Sequence, residues 1–313
     1  MPIIYDFQCI WAGFYSQYFF FLQSFIFCKL TNQTLLYDDS QWKFKYTFGL
    51  ADYFDLDINK IQQYKITEED RNNPEIVIKK HDPNNPGVVL PLHEYRSAIK
   101  DIYLVNENIR TKTQQLRQQF PENFNAIFIR WGDKKIEIQV SGRDIELERY
   151  VETLKKISGN CRHVFIHSDD HDAVLSVIEC MKKQGLTDYN VLYITGECES
   201  GGTLACEIYR HGFPDKNKKS IEQMTPSEMF EHTEKMLYAI EIMKQADNVI
   251  LDYQSNVSRF LKLYYDREYC KVHSVFDDEP DEQHMCIPPA FGFEINGYIN
   301  VPPISYQNTS VNL

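Results

Sequence analysis

From residue 123 to residue 275 the sequence repeats one alternation, a short apolar run followed by a longer amphipathic one. No other feature limits the possible folds so strongly. Residues 126–130, 163–167, 190–195, 248–251 and 271–275 are short, apolar and rich in β-branched or aromatic side chains, the pattern of buried strands. Between them, residues 144–156, 173–184, 227–245 and 256–265 carry apolar side chains at helical spacing, and Pro226 stands where a first helical turn accepts proline. Alternating strands and helices predict an α/β chain with a parallel, doubly wound sheet. In such a sheet ligands bind in the crevice beyond the carboxyl ends of the strands, which directs attention to the residues just past each apolar run.

The first forty residues read the same way. Residues 3–7 form a strand, residues 8–13 a loop ending in Gly13, residues 16–30 a helix with a largely apolar face, and residues 34–37 a second strand. A glycine at that turn fits either a tight bend or a close approach of ligand to backbone. Residues 38–87 break the pattern with Asn73-Pro74 and Asn84-Asn85-Pro86-Gly87, predicting irregular structure and short helices. Leu92, Tyr95, Ile99, Ile102, Ile109 and Leu116 then fall near one face of a single long helix that stops before Pro121 and bridges two halves. The expected organisation is an N-terminal α/β domain over 1–120, a Rossmann-like domain over 121–275 and a surface tail over 276–313.

Composition supports two sizeable cores: 313 residues, 43% hydrophobic, with 20 Tyr and 20 Phe. A net charge of −12 argues against a general nucleic-acid binder. The eight cysteines form no C-x-x-C pair and read as reduced intracellular thiols. Cys270, His273, His284 and Cys286 are a minor candidate for a zinc site, with irregular spacing. The aromatic run over 14–27 is interrupted by Ser16, Gln17, Gln23 and Ser24 and is too short to span a bilayer. Asp6 precedes it in place of a basic segment, so the expectation is a soluble, cytoplasmic protein without a membrane span.

Three strand ends in the second half carry groups suited to a phosphate-bearing ligand: Arg130 with Asp133, Lys134 and Glu137; Ser168-Asp169-Asp170; and Asp252 through Ser255 and Asn256. A guanidinium matches a phosphate bidentately, and a helix start with an N-cap hydroxyl is a ready anion site. Each group also has a local role open to it. Ser255 caps its own helix, Asp169 and Asp170 favour the dipole of theirs, and Arg130 joins an ion-pair cluster at the sheet edge.

The ordered set resembles a known family. Phe-Ile-Arg-Trp-Gly-Asp-Lys at 128–134 is similar to the His-Val-Arg-Arg-Thr-Asp-Lys motif of α1,6-fucosyltransferases and their bacterial nodulation relatives. Val-Phe-Ile-His-Ser-Asp-Asp at 164–170 resembles that family's second motif, a strand ending in Asp-Asp. Residues 245–259 resemble the third, a strand followed by Ser-Ser-Gln-Val and an Arg, and Gly13 to Gln17 resemble its Gly-Leu-Gly-Asn-Gln loop. The resemblance implies a GT-B-like glycosyltransferase, two Rossmann-like domains facing a cleft. It implies a nucleotide-sugar donor, GDP-fucose favoured, a glycan or other hydroxyl acceptor, and neither cofactor nor metal. By position, Arg130, Ser255 and Asn256 would hold the donor diphosphate, with Gly13 in the opposing loop. Asp169 and Asp170 would support the arginine. Lys134 aligns with the family's lysine, and Glu137, after a one-residue shift, with its catalytic glutamate.

Departures bear on specificity. Phe128 replaces the family's histidine, Trp131 its second arginine, and Ala239 its base-reading aspartate, with Glu241 two residues on. The implied reaction is an inverting displacement in which Glu137, or second Asp133, takes the acceptor's proton. Arg130, Lys134 and the Ser255 helix start would stabilise charge on the leaving diphosphate. Two alternatives remain: a metal-dependent transfer through Asp170 and Asp172, and a nucleotide-binding protein without catalysis. The acceptor would be chosen by the N-terminal half and by loops such as 196–219, which contains Gly196, Gly201 and Gly202.

Overall fold

The computed structural model describes residues 2–8, 12–80, 92–132, 145–197, 199, 220–252, 255–269 and 271–275. The chain opens with strand β1 (Ile3–Asp6), helix α1 (Phe14–Leu30) and strand β2 (Leu35–Asp38). A 3-10 turn (Gly49–Asp52) leads to β3 (Ile61–Gln63), the short helix α2 (Glu68–Asn72) and β4 (Val77–Lys80). These strands make a parallel sheet in the order β3-β2-β1-β4. Neither β3 nor β4 was expected from the broken pattern of 38–87. Both lie at the sheet edges, with sequences Ile-Gln-Gln and Val-Ile-Lys-Lys, and a half-exposed edge strand needs little apolar periodicity.

The single long bridging helix is instead two, α3 (Leu92–Ile102) and α4 (Glu107–Arg117). Residues 103–106 are pulled straight by the segment before them. Leu104 O accepts from Asp55 N at 2.7 Å, and Asn106 N donates to Tyr53 O at 2.9 Å. Asn106 then starts the second helix, its Oδ1 accepting from Ile109 N at 3.0 Å.

The second half follows the alternation. It comprises β5 (Asn125–Ile129), α5 (Leu147–Ile157), β6 (His163–Ser168), α6 (His171–Lys183), β7 (Asn190–Leu192), α7 (Pro226–Met243), β8 (Asn248–Leu251), α8 (Asn256–Tyr269) and β9 (Lys271–Ser274). All five strands are parallel, in the order β7-β6-β5-β8-β9. Helix α7 begins on a capping box in which Thr225 Oγ1 accepts from Glu228 N and the Glu228 carboxylate returns to Thr225 N, with Pro226 in the first turn.

Strand alternation divides the side chains between two cores. Ile127, Ile129 and Ile166 face one core with Tyr150, Val151, Val174 and Trp131. Phe128 and Phe165 face the other, which runs continuously into the N-terminal sheet. Helix α7 packs on α4, and α8 packs on both α1 and α3, so the two halves share this larger core.

That sharing accounts for the aromatic run in α1. Thirteen of its 17 residues are buried, because the helix lies between its own sheet and α8 rather than on a surface. Phe260 of α8 inserts into the seam, its ring 4.7 Å from Tyr15 and 4.6 Å from Tyr103, whose hydroxyls meet at 2.6 Å. Among the described residues, no helix is long and apolar enough to cross a membrane.

Candidate functional site

A cleft of about 370 Å³ opens where the carboxyl ends of both sheets meet. Its N-terminal side is built from Ala12 through Ser16 and from Phe44. Its C-terminal side draws Phe128 from β5 with Arg130 just past it, His167 and Ser168 from β6 with Asp169 just past it, and Ser255 to Val257 with Arg259 from the start of α8. Glu199, Met229, His232, Thr233, Lys235 and Met236 complete the wall. The α7 members recur at helical spacing, so one stripe of that helix faces the cleft.

Period-two alternation along the strands sets the chemistry of the floor. Phe128 of β5 is the cross-strand neighbour of His167 of β6, and Arg130 and Asp169 follow just past the two strands. Arg130 forms an ion pair with Asp169. Asp169 Oδ1 also accepts from Trp131 N at 2.8 Å, which fixes the carboxylate against the backbone just past β5. The pair is four-fifths buried, where a guanidinium held by a carboxylate keeps its orientation toward the cleft.

Two helix starts converge on this arginine. Ser255 caps α8, its Oγ accepting from Ser258 N at 3.1 Å, and Ser255, Asn256 and Val257 line the cleft. Arg259 Nη1 donates to Asn256 Oδ1 at 3.2 Å one turn later. Opposite, α1 begins at Gly13, whose backbone is extended (φ −65°, ψ 167°) and provides no side-chain cap to the first turn. Gln17 Nε2 donates to Ala12 O at 3.0 Å and holds the incoming chain in place. Two helix N-termini and one buried arginine give the cleft the character of an anion site despite the acidic chain.

Other sequence candidates are placed elsewhere. Asp170 is fully buried at the N-cap of α6, accepting from Asp172 N at 2.9 Å, and does not line the cleft, while Asp172 is exposed on the first turn. Asp252 accepts from Tyr150 Oη at 2.8 Å and Ser258 Oγ at 3.2 Å, a structural use of the third strand end. Glu241 accepts from Tyr264 Oη at 2.7 Å, away from the cleft lining, and burial raises its carboxyl above the ordinary value. Trp131, at the position of the family's second arginine, is buried with Ile129 and Tyr150. His273 lies in β9 with Nε2 3.0 Å from Asn248 Oδ1. Asp133, Lys134 and Glu137 lie outside the described residues, as do Gly201, Gly202, Cys270, His284 and Cys286.

The structure adds residues that the sequence did not single out. His167 follows an apolar run inside the second motif, and its strand-end position was the available signal. His232, Lys235 and Glu199 had none. Lys235 and Glu199 form an ion pair on the cleft wall. Burial, reinforced by His232, pushes the His167 imidazole down to about 3, and burial likewise lowers His232, with Glu199 opposing and Arg130 and Lys235 adding to the shift.

No protein-family profile and no curated protein matches the chain in sequence. Solved structures do match in shape. The NodZ α-1,6-fucosyltransferase soaked with GDP-fucose is 12% identical over 84% of this chain and 92% of its own, with a TM-score of 0.51. A selenomethionine form of fucosyltransferase NodZ from Bradyrhizobium gives 11%, the same coverage and a TM-score of 0.52. POFUT1 in complex with GDP-fucose is 11% identical over 87% of this chain and 97% of its own, with a TM-score of 0.50. The chain therefore has the GT-B architecture of the NodZ and POFUT1 fucosyltransferases, two parallel α/β sheets set across a cleft, as the ordered motifs implied.

Proposed function

We propose that the chain is a glycosyltransferase that takes its sugar from a nucleoside diphosphate sugar, GDP-fucose being favoured, and delivers it to a hydroxyl of a glycan or similar acceptor. One observation carries the reading: Arg130, oriented by Asp169, shares a cleft with the starts of α8 at Ser255–Asn256 and of α1 at Gly13. A diphosphate placed there meets a bidentate cation and two helix N-termini, the preorganised electrostatics that a departing diphosphate needs. Support also comes from the neighbours of like fold, two of them described with GDP-fucose.

In this reading residues 121–275 hold the donor and residues 1–120 the acceptor side, and the sugar is displaced with inversion without a metal. Glu137 serves as base, with Asp133 second to it, and Lys134 assists the leaving group; all three are assigned from their motif positions. A metal-dependent transfer through Asp170 and Asp172 has less to stand on, because Asp170 is committed to capping α6.

Differential scanning of the full chain with GDP and GDP-fucose tests the reading, alongside release of GDP from GDP-fucose with and without a chelator. Arg130→Lys is the informative variant: it keeps a cation for Asp169 and loses the bidentate fork. GDP affinity is expected to fall about thirtyfold, roughly 2 kcal/mol. Unchanged GDP affinity in this variant overturns the phosphate assignment. GDP binding without sugar release from GDP-fucose under any acceptor favours a binding protein, and release abolished by chelation overturns the metal-free mechanism.

A further inference from the structure

His167 is 4% exposed and lies on the cleft floor between two aromatic rings, Phe128 at 6.0 Å and Phe165 stacked at 6.4 Å. Its Nδ1 is buried and has no hydrogen-bond partner among the described residues, and the same is true of Nδ1 of His232 on the facing stripe of α7. A buried polar atom left unmatched is costly, and native structures rarely keep one without a use. An aromatic slot of this kind is filled as well by phenylalanine, so packing alone does not account for His167. Of the charged groups nearby, Arg130 is paired with Asp169, Lys235 with Glu199, and Arg259 donates to Asn256 at the start of α8. Beside these charged groups, the described wall offers a pair of imidazole nitrogens.

The register places His167. His167 is the cross-strand neighbour of Phe128 within β6, two residues before Asp169, so it lies deeper along the strands than the Arg130–Asp169 pair at their ends. Both imidazoles are held neutral by burial, and a neutral ring can donate or accept a hydrogen bond but offers no charge to a phosphate.

We propose that His167 and His232 together recognise an uncharged polar group of the donor adjoining its diphosphate, completing their Nδ1 hydrogen bonds on it and so setting which donor is accepted. The inference rests on the donor-site reading above. The shared chemistry is a hydrogen-bonding edge without charge, which a nucleobase and a sugar hydroxyl both present. These are specificity-determining contacts, separate from the arginine and helix starts that hold charge.

The test titrates pyrophosphate, GDP and GDP-fucose into the full chain and into His167→Phe, His167→Asn, His232→Leu and His232→Asn, with melting of each ligand-free protein. Asparagine places an amide near the former Nδ1, so it separates the hydrogen bond from the ring. His167→Phe is expected to melt no lower than the natural protein, since it removes an unmatched polar atom, yet to bind GDP-fucose about tenfold more weakly. Pyrophosphate binding stays unchanged, and His167→Asn recovers most of the loss. Weakening already present with GDP places the group on the nucleoside; weakening seen only with GDP-fucose places it on the sugar. His167→Phe and His232→Leu binding GDP-fucose like the natural protein, while Arg130→Lys does not, overturns the inference and leaves the donor-site reading intact. A lower melting temperature with equal losses for all three ligands makes these residues merely structural and also overturns it. If none of the ligands binds the natural protein, the donor-site reading fails and this inference with it.

Discussion

In both halves of the molecule polar residues stand just past the ends of parallel strands, but in the N-terminal half the fold consumes them and in the C-terminal half it leaves them facing a cleft. At the end of β2, Asp38 accepts from Ser40 N at 2.9 Å and Ile66 N at 2.8 Å. Asp39 accepts from Leu50 N and Gln63 Nε2, both at 2.8 Å. Asp52 accepts from the backbone amides of Tyr46, Thr47, Phe48 and Gly49, each at 2.9 Å. Gly49 is required there, with φ +75° and the Asp39 carboxylate occupying the place of a side chain. At the ends of β5, β6 and β8, by contrast, Arg130, His167 and Ser255 line the cleft, and Asp169 pairs with Arg130. A polar strand end therefore marks a site only where it also lines a cleft, as Ser255 does while capping α8.

The largest expected effect breaks this comparison on its structural side. Asp52→Ala removes the buried acceptor of four turn amides and is expected to cost about 3 kcal/mol in urea unfolding. GDP affinity, measured well below the melting temperature, should stay the same. A stability loss under 1 kcal/mol shows the turn to be held by other contacts, and a parallel loss of GDP affinity shows that the N-terminal carboxylates do serve the cleft.

Glu241 sharpens the comparison, because it lies in the C-terminal half and is nevertheless consumed by packing. Burial raises its carboxyl above the ordinary 4.5, while the Tyr264 hydroxyl and Lys244 oppose the shift. A carboxyl raised in the folded state disfavours folding once ionised, so its penalty grows as pH rises through the folded value and is absent below about 4.5. Glu241→Gln should raise the melting temperature by about 2 °C at pH 8 and leave it unchanged at pH 4. GDP-fucose binding should not respond. A change in nucleotide preference would instead give Glu241 the base-reading role that its place beside Ala239 suggested.

How much of this was legible in the sequence depended on what each residue answers to. The central strands β5, β6 and β8 were plain, because a strand covered on both faces must be apolar throughout. Strands β3 and β4 were not, since edge strands are half wet. The break between α3 and α4 was hidden because its cause, the pairing of Asp55 and Tyr53 with Leu104 and Asn106, is tertiary. In the site, Arg130, Asp169 and Ser255 stood out because strand ends in a parallel sheet converge on one edge. His232 and Lys235 did not, as they sit within an 18-residue helix whose cleft-facing stripe is set by packing against α4. Asp170 misled for a related reason: an Asp at a helix start and an Asp at a ligand site read alike until the cap is seen.

The smallest stability effect tests the N-terminal side of the cleft. Gly13 has a backbone conformation open to any residue, and a methyl group placed on it would meet no atom within 4 Å. Its glycine is thus not demanded by the turn, and Gly13→Ala should change stability by no more than about 0.5 kcal/mol, with slight stabilisation through the unfolded chain the natural direction. The position nevertheless lines the cleft at the uncapped start of α1. If a diphosphate approaches that backbone closely, the added methyl occupies its path, and GDP affinity falls about fivefold with the melting temperature unmoved. Loss of affinity without loss of stability marks Gly13 as an N-terminal residue kept for a ligand. Full affinity in Gly13→Ala removes the N-terminal helix start from the phosphate site and leaves the grip to Arg130 and Ser255 alone.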